Sequence, residues 1–284
     1  MIDCFRPRRW LLAHGRELVL GPKAVVMGIL NVTPDSFSDG GRFRSATRAI
    51  EQAAAMTTQG AAIIDVGGES TRPGSAAVSA AEEQARVLPV IEALAAREDV
   101  LISVDTYRAE TARAALEAGA HIVNDVWGLQ RDPDLASVCR AAGAGVVLMH
   151  NSRERRVDPD PVADQHVFLD RSLDLAKDAG ISSEHIVLDP GFGFGKEKPE
   201  LNFALMRRFG ELHAFGFPLL AGTSRKRFIG HATGREAVDR DAGTAATSAI
   251  LRLEGAAVFR VHDVAMNIDA LRIADAMLAT SEAA

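Results

Sequence analysis

The sequence predicts an α/β protein of the (β/α)₈ barrel type, with one polar site at the carboxyl ends of the strands. Eight short apolar runs alternate with longer amphipathic segments, and each run leads into polar residues. The runs are almost continuously apolar, which is typical of parallel strands covered on both faces. They are Val25–Leu30, Ala62–Val66, Val100–Val104, His121–Val123, Gly145–Met149, His185–Leu188, Phe217–Ala221 and Ala256–Val261.

The segments between the runs carry helix signals. Ser79 and Glu82 have the spacing of a capping box, and three other helical patterns stop at Gly119, Gly180 and Gly255. Eight strand–helix repeats without a linker favour one closed barrel over an open doubly wound sheet. We expect a single domain over residues 1–284, with the barrel at about 24–280 and an N-terminal extension at 1–20.

The composition excludes several classes of protein. The chain has 284 residues, 47% of them apolar, and a net charge of −6, which disfavours nucleic acid and anionic membranes as partners. Cys4 and Cys139 are too far apart in sequence to indicate a disulfide framework or a zinc site. No apolar run approaches the ~18 residues of a membrane span, and none resembles a signal peptide. A cytoplasmic location is expected.

Polar residues collect where the predicted strands end. A single one of them could simply cap a helix. In a barrel, however, all of these ends meet at one rim, where the active sites of this fold lie. The residues are Asn31, Glu69 to Arg72, Asp105, Asn124, Asp125, His150, Asp189, Thr223 to Lys226, Arg260, His262 and Asp263.

The cationic members of this set indicate an anionic ligand. Arg72, Lys226, Arg260 and His262 come from three different loops, and converging cations suit a phosphate or pyrophosphate.

The acidic and amide members indicate a different part of the ligand. Asp105, Asn124 and Asp189 could together bind a flat heterocycle that carries amino and ring N–H donors. A structural ion-pair network with the neighbouring cations is the alternative. The glycine-rich stretch Gly191 to Lys196 lacks the spacing of a phosphate-binding P-loop, and its glycines are better suited to close backbone approach to a flat ligand.

Longer stretches around these residues closely resemble the signatures of the dihydropteroate synthase family, in the family's order and from about residue 24 to the C-terminus. They are Met27 to Gly41, Asp65 to Gly74, Ser103 to Thr106, Asn124 to Gly128, Leu188 to Lys196, Thr223 to Lys226 and Arg260 to Asp263.

The resemblance implies a transferase of folate biosynthesis. Such an enzyme condenses 6-hydroxymethyl-7,8-dihydropterin pyrophosphate with p-aminobenzoate, giving 7,8-dihydropteroate and pyrophosphate. The resemblance also implies Mg²⁺ as cofactor, a homodimer, and sulfonamides as competitors of p-aminobenzoate. Because the dihydropterin is electron-rich, we expect a dissociative, SN1-like displacement.

The resemblance also assigns residues to roles. Pterin-binding residues are Asp105, Asn124, Met149, Asp189, Lys226 and Arg260. Pyrophosphate-binding residues are Asn31, Arg72, Arg260 and His262, with Asn31 also the Mg²⁺ ligand. The p-aminobenzoate pocket is assigned to Thr71, Pro73, Gly193, Phe194 and Ser224, and catalysis to Arg72, Lys226, Arg260 and His262.

One segment departs from the family pattern. After His150 the family continues with a longer loop similar to Met-Gly-Pro-Met-Gln, whereas residues 151–160 here are shorter and highly charged. This difference keeps open a pterin-binding homologue without catalytic activity. A corrinoid-linked pterin methyltransferase is a second alternative, although it would not need the Ser-Thr-Arg-Pro and Ser-Arg-Lys segments.

Overall fold

Eight parallel strands form a nearly closed barrel, as the sequence predicts. The computed structural model describes residues 3–33, 41–70, 78–97 and 99–281. The strands are β1 (Arg8–Leu11), β2 (Glu17–Leu20), β3 (Val25–Asn31), β4 (Ile63–Gly67), β5 (Leu101–Asp105), β6 (Ile122–Asp125), β7 (Gly145–Met149), β8 (Ile186–Asp189), β9 (Leu220–Ala221) and β10 (Val258–Val261). The sheet runs β8-β7-β6-β5-β4-β3-β10-β9, and a parallel bridge between Leu188 and Leu219 joins its two ends.

Helices alternate with the strands. They are α1 (Gly41–Gln59), α2 (Ala80–Ala95), α3 (Ala109–Glu117), α4 (Leu135–Ala142), α5 (Pro161–Asp178), α6 (Pro199–Arg207), α7 (Arg227–Thr233), α8 (Asp241–Leu253) and α9 (Val264–Ser281). The predicted capping box is present at the start of α2: the Ser79 N–H donates to Glu82 Oε2 (3.0 Å), and the Glu82 N–H donates to Ser79 Oγ (3.2 Å). Within the described ranges, no helix is both long and apolar enough to cross a membrane.

The strands bury both faces because the barrel has two apolar layers. In β4, Ile63 points into the barrel, while Ile64 packs outward with helix residues such as Val87 and Ile91. All of these side chains are fully buried. Two-sided burial explains why the strands read as continuous apolar runs.

A hairpin of β1 and β2 closes the amino end of the barrel. The sequence predicts only an N-terminal extension here. Trp10 and Leu20 are buried in the inner apolar layer, and Trp10 Nε1 donates to the His185 carbonyl (2.9 Å) beside the start of β8. The hairpin therefore leaves the carboxyl end of the barrel as the open end.

Candidate active site

Four neighbouring strands bring one row of residues to the rim. Asn31 pairs in register with Gly67, Gly67 with Asp105, and Asp105 with Asn124. Gly67 has no side chain, and a Cβ placed there would lie 3.4 Å from Asp105 Cβ and 3.8 Å from Asn31 Oδ1. The amide of Asn31 and the carboxylate of Asp105 thus line the same part of the rim, with space between them.

Arg260 is held over this row by two carboxylates. Its Nε lies 2.6 Å from Asp65 Oδ2, and its Nη2 lies 2.5 Å from Asp105 Oδ2. Asn124 Nδ2 donates to the same Asp65 oxygen (3.1 Å). The ion-pair network kept as an alternative in the sequence analysis is therefore present at Asp105. Asp65 and Asp105 together hold the pKa of Arg260 above its ordinary value against the opposing effect of burial.

Asp65 was not predicted as a site residue. It is completely buried, and its Oδ1 has no hydrogen-bond partner among the described residues. The signal that could have revealed it is its position, because it is a carboxylate in the middle of an otherwise apolar strand. A buried carboxylate needs a compensating partner, and here Arg260 provides one.

Asp189, Met149 and Lys226 lie together on the opposite side of the rim. Met149 and Asp189 are register partners in β7 and β8, and both are buried. The Gly191 N–H donates to Asp189 Oδ1 (2.7 Å), while the Lys226 ammonium donates to the Phe192 carbonyl. Burial lowers the pKa of Lys226 to about 8, and Asp189 opposes that shift. Burial likewise raises the pKa of Asp189, and Lys226 opposes it.

The ring of Phe194 lies beside two cations. The Lys226 ammonium is 4.7 Å from the ring centroid, and the Arg153 guanidinium is 4.9 Å from it. Gly193, at φ +78°, packs so closely on the Lys226 stem that a Cβ there would lie 3.0 Å from Lys226 Cδ. The structure thus places two residues assigned to the p-aminobenzoate pocket next to a residue assigned to the pterin.

Ser224 and His262 are directly bonded. Ser224 Oγ lies 2.9 Å from His262 Nδ1 and accepts a second bond from the His262 backbone N–H (3.1 Å). The family resemblance assigns Ser224 to p-aminobenzoate and His262 to pyrophosphate. Their contact shows that these two parts of the predicted site adjoin.

Comparisons with known proteins identify the family. A model of pterin binding enzymes matches residues 27–262. The dihydropteroate synthase of Bacillus subtilis is 46% identical over 259 residues, which is 90% of this chain and 89% of that protein. This chain belongs to the dihydropteroate synthase family.

Solved structures of the family superimpose closely. The Clostridium difficile dihydropteroate synthase, crystallised in the presence of pteroic acid, is 47% identical with a TM-score of 0.88, and the match covers 91% of this chain and 98% of that one. The Yersinia pestis enzyme in complex with a sulfonamide drug is 41% identical with a TM-score of 0.87, covering 94% and 98% of the two chains.

The family's second signature continues beyond the part of the chain that the structure describes. The predicted site residues Thr71, Arg72 and Pro73 lie outside the described residues. Both flanks of that segment are held by Arg108, which the sequence analysis did not single out. Arg108 Nη1 lies 2.5 Å from Glu69 Oε2, and its Nη2 donates to the Val78 carbonyl (2.7 Å).

The fifth loop, which the sequence predicts to depart from the family pattern, folds against the barrel rather than projecting from it. The Arg155 guanidinium lies 2.5 Å from Asp164 Oδ2 on α5, and the same carboxylate lies 2.9 Å from His150 Nε2. Lys196, at the end of the glycine-rich stretch, is buried behind the rim and donates to His150 Nδ1 (2.9 Å). This position agrees with the prediction that the stretch is not a P-loop.

Proposed function

We propose that the protein condenses 6-hydroxymethyl-7,8-dihydropterin pyrophosphate with p-aminobenzoate to give 7,8-dihydropteroate and pyrophosphate. The observation that carries the proposal is the meeting, at one rim, of Asp105 and Asn124 with Asp189, Lys226 and Arg260. Three of these side chains accept hydrogen bonds and three donate them, with the amide of Asn124 doing both.

The acidic side of the rim is suited to the pterin. A pterin edge carries amino and ring N–H donors, which buried carboxylates such as Asp105 and Asp189 accept. Its carbonyl and ring nitrogens need donors, which Asn124 and Lys226 supply. Met149 offers an apolar, polarisable surface to the flat ring. The Arg260 guanidinium, fixed by two carboxylates, is positioned to stack on the ring face.

The cationic end is suited to the leaving group. Arg260 and His262 would bind the pyrophosphate together with Arg72 from the second signature. We also assign Mg²⁺ to this end. Asn31 offers one amide oxygen, and the described residues hold no cluster of three His, Cys, Asp or Glu side chains that could bind a metal by itself. A single neutral oxygen fits Mg²⁺, which keeps waters and takes phosphate oxygens as ligands.

The reaction breaks the bond between the pterin methylene carbon and the pyrophosphate oxygen. We assign a dissociative course, in which Asp105 and Asp189 keep the electron-rich pterin in place while positive charge develops on the methylene. Arg260 and His262 stabilise the negative charge that grows on the pyrophosphate, and bound Mg²⁺ would add to that stabilisation. The lone pair of the amine nitrogen then forms the new C–N bond, and the nitrogen releases one proton to water. Because an aromatic amine is already unprotonated at neutral pH, no strong general base is required.

The acceptor pocket adjoins the leaving-group end. We assign p-aminobenzoate to the space between Phe194, Gly193 and Ser224, with Thr71 and Pro73 completing it. The contact between Ser224 and His262 supports this placement, since the amine must reach the carbon from which pyrophosphate departs. Sulfonamides should compete for the same pocket.

We further propose a homodimer, as the resemblance implies, and a cytoplasmic location, as expected from the sequence. Exposed apolar side chains on the adjacent helices α8 and α9 are suited to such an interface; they are Ile250, Leu253, Ile273 and Met277. Sedimentation of the protein and of an Ile273→Asp variant tests this proposal. A monomeric wild-type protein would contradict it.

The deciding experiment for the function mixes the protein with the dihydropterin pyrophosphate, Mg²⁺ and p-aminobenzoate, and follows pyrophosphate and dihydropteroate. We expect release that depends on the amine, loss of turnover in Arg260→Ala, and full turnover in the exposed control Arg97→Ala. Tight pterin binding without product would support the non-catalytic homologue instead. Methyl transfer from methyltetrahydrofolate would support the methyltransferase. Isotope scrambling of the bridging pyrophosphate oxygen without the amine tests the stepwise course.

A further inference from the structure

We propose that Lys196 is a positioning residue of the pterin site: it holds the Pro190–Gly191 peptide from behind, so that the N–H of this peptide orients the carboxylate of Asp189. The inference rests on the proposed function only for the identity of the ligand. It concerns a buried lysine that touches none of the residues assigned to substrate.

The first observation is the set of acceptors around the Lys196 ammonium. Its Nζ lies 3.1 Å from the Pro190 carbonyl, 2.9 Å from the Gly191 carbonyl and 2.9 Å from His150 Nδ1. An ammonium has three hydrogens, and each has one acceptor here. The side chain is only 4% exposed, so no solvent-facing role explains a lysine at this position.

The second observation links this lysine to the ligand-binding carboxylate. The Pro190 carbonyl and the Gly191 N–H belong to one planar peptide unit and point in opposite directions. Lys196 binds the carbonyl end, and Asp189 Oδ1 accepts from the N–H end at 2.7 Å. The peptide dipole therefore joins the ammonium to the carboxylate. Because Oδ1 is engaged in this way, Oδ2 is the oxygen available to a pterin N–H donor.

The third observation is that Lys196 is itself held by residues on the side away from Asp189. His150 Nδ1 lies 2.9 Å from the Lys196 Nζ, and its Nε2 lies 2.9 Å both from Asp164 Oδ2 and from Arg155 Nη2. Arg155 completes the chain with two bonds to Asp164, at 2.8 and 2.5 Å. Arg155 lies in the segment where this chain departs from its family. The short charged loop is thus tied to the pterin site through Asp164, His150 and Lys196.

The backbone around the Pro190–Gly191 peptide is closely packed, which fixes its position. Gly191 has φ +63°, and a Cβ there would overlap the His150 carbonyl oxygen. The His150 N–H also donates to the Asp189 carbonyl (2.8 Å), so the ends of β7 and β8 are fixed to each other. Gln165 Nε2 adds a second donor to the Pro190 carbonyl (3.1 Å). The peptide is therefore held by two buried donors. Burial lowers the pKa of Lys196 to about 7, so Lys196 adds positive charge to this contact below that pH.

The test compares Lys196→Met with Lys198→Met, an exposed lysine two residues away. The probe is 6-hydroxymethylpterin, which fills the pterin slot without a leaving group, and binding is measured by calorimetry. We expect Lys196→Met to weaken binding about tenfold or more, the effect of one charge-assisted hydrogen bond. The KM for p-aminobenzoate should stay within about twofold, and Lys198→Met should bind like the wild type. Equal losses for both substrates, or unchanged pterin binding, would overturn the proposal.

A double-mutant cycle with Asp189 distinguishes positioning of the Asp189 carboxylate from general stabilisation of the fold. In an Asp189→Asn background, Lys196→Met should weaken pterin binding much less than it does alone, because both changes remove the same interaction. Additive losses would contradict the inference.

If Lys196→Met does not fold, Gln165→Met serves in its place. We expect a smaller, several-fold loss of pterin binding, which must show the same dependence on Asp189. If the wild type binds the pterin but makes no dihydropteroate, the proposed function fails while this inference is still decided by binding.

Discussion

Replacing Asp65 with asparagine is the most informative single change, because it removes one charge from the centre of the site and little else. Asp65 is fully buried and accepts from Arg260 Nε (2.6 Å) and from Asn124 Nδ2 (3.1 Å). Breaking a buried ion pair from one side costs about 3–5 kcal/mol. Arg260 keeps its bond to Asp105, so we expect the lower end, about 3 kcal/mol. For a chain of 284 residues this corresponds to a fall in Tm of roughly 5 °C.

The same change should shift the pH dependence of pterin binding. Burial raises the pKa of Asp105, Arg260 opposes the rise, and the negative charge of Asp65 adds to it. In the proposed site, Asp105 must be ionised to accept a hydrogen bond from the pterin. The KM for the pterin substrate should therefore rise as the pH falls through this raised pKa. Removing the charge of Asp65 lowers the pKa of Asp105. The acid limb of the profile should therefore move to lower pH in Asp65→Asn.

Protein stability responds to the ionisation of Asp105 with the opposite sign. Because its pKa is raised in the folded state, the folded protein binds the proton more readily than the unfolded chain does. The contribution of Asp105 to stability is therefore complete below its ordinary pKa and is lost as the pH rises through the raised one. Asp65→Asn lowers the raised pKa of Asp105, so Asp105 should contribute to stability over a narrower pH range.

Three measurements check this reasoning: urea unfolding, heat unfolding, and the KM for the pterin substrate across the acid and neutral range. Asp99→Asn is the control, since Asp99 pairs with Arg97 at the surface and its loss should change neither stability nor KM. An Asp65→Asn protein as stable as the wild type would refute the account of the ion pair. An acid limb that moves to higher pH would refute the account of Asp105.

Other changes test separate parts of the structure. Gly191→Ala should abolish pterin binding, because its Cβ would overlap the His150 carbonyl; Gly143→Ala, at a similar φ of +61° but in open space, should cost only about 1 kcal/mol of stability and leave binding intact. Trp10→Ala, at the closed end of the barrel, should lower stability by about 3–5 kcal/mol while the kcat of the folded enzyme is unchanged. Asn31→Ala should raise the Mg²⁺ concentration needed for half-maximal turnover, and chelation of the metal should stop turnover in the wild type.

The barrel strands could be predicted from the sequence because two-sided burial leaves a continuous apolar signal. The predicted run from Gly145 to Met149 has the same bounds as its strand, and the other runs agree with theirs within a few residues. The hairpin of β1 and β2 carries no such signal. Its strands have four residues each, and both begin with charged side chains, Arg8 and Glu17. Only the closed barrel provides the apolar surface that holds Trp10 in place.

The site could be predicted as a set of residues but not as a set of contacts. Chain order shows that Asp105, Asp189 and Arg260 end neighbouring or opposite strands, and the barrel topology brings them to one rim. It does not show which carboxylate binds which cation. Arg260 pairs with Asp65, which lies within strand β4 and not at its end. Lys196 lies behind the rim and not in a phosphate site. Both arrangements depend on burial, which a lone polar residue in the sequence does not reveal.

In the proposed site, the two carboxylates beneath Arg260 would allow this one cation to serve both halves of the substrate. A guanidinium exposed to solvent would lose side-chain entropy on binding, and its charge would be screened. Asp65 and Asp105 fix this guanidinium before any ligand arrives, so that little reorganisation is needed when charge develops on the leaving group. The arrangement has a cost, because the paired carboxylates weaken the positive field that the pyrophosphate meets. Pterin N–H donors that engage Asp105 would offset part of its charge, so occupancy of the pterin slot should strengthen the cationic end of the site.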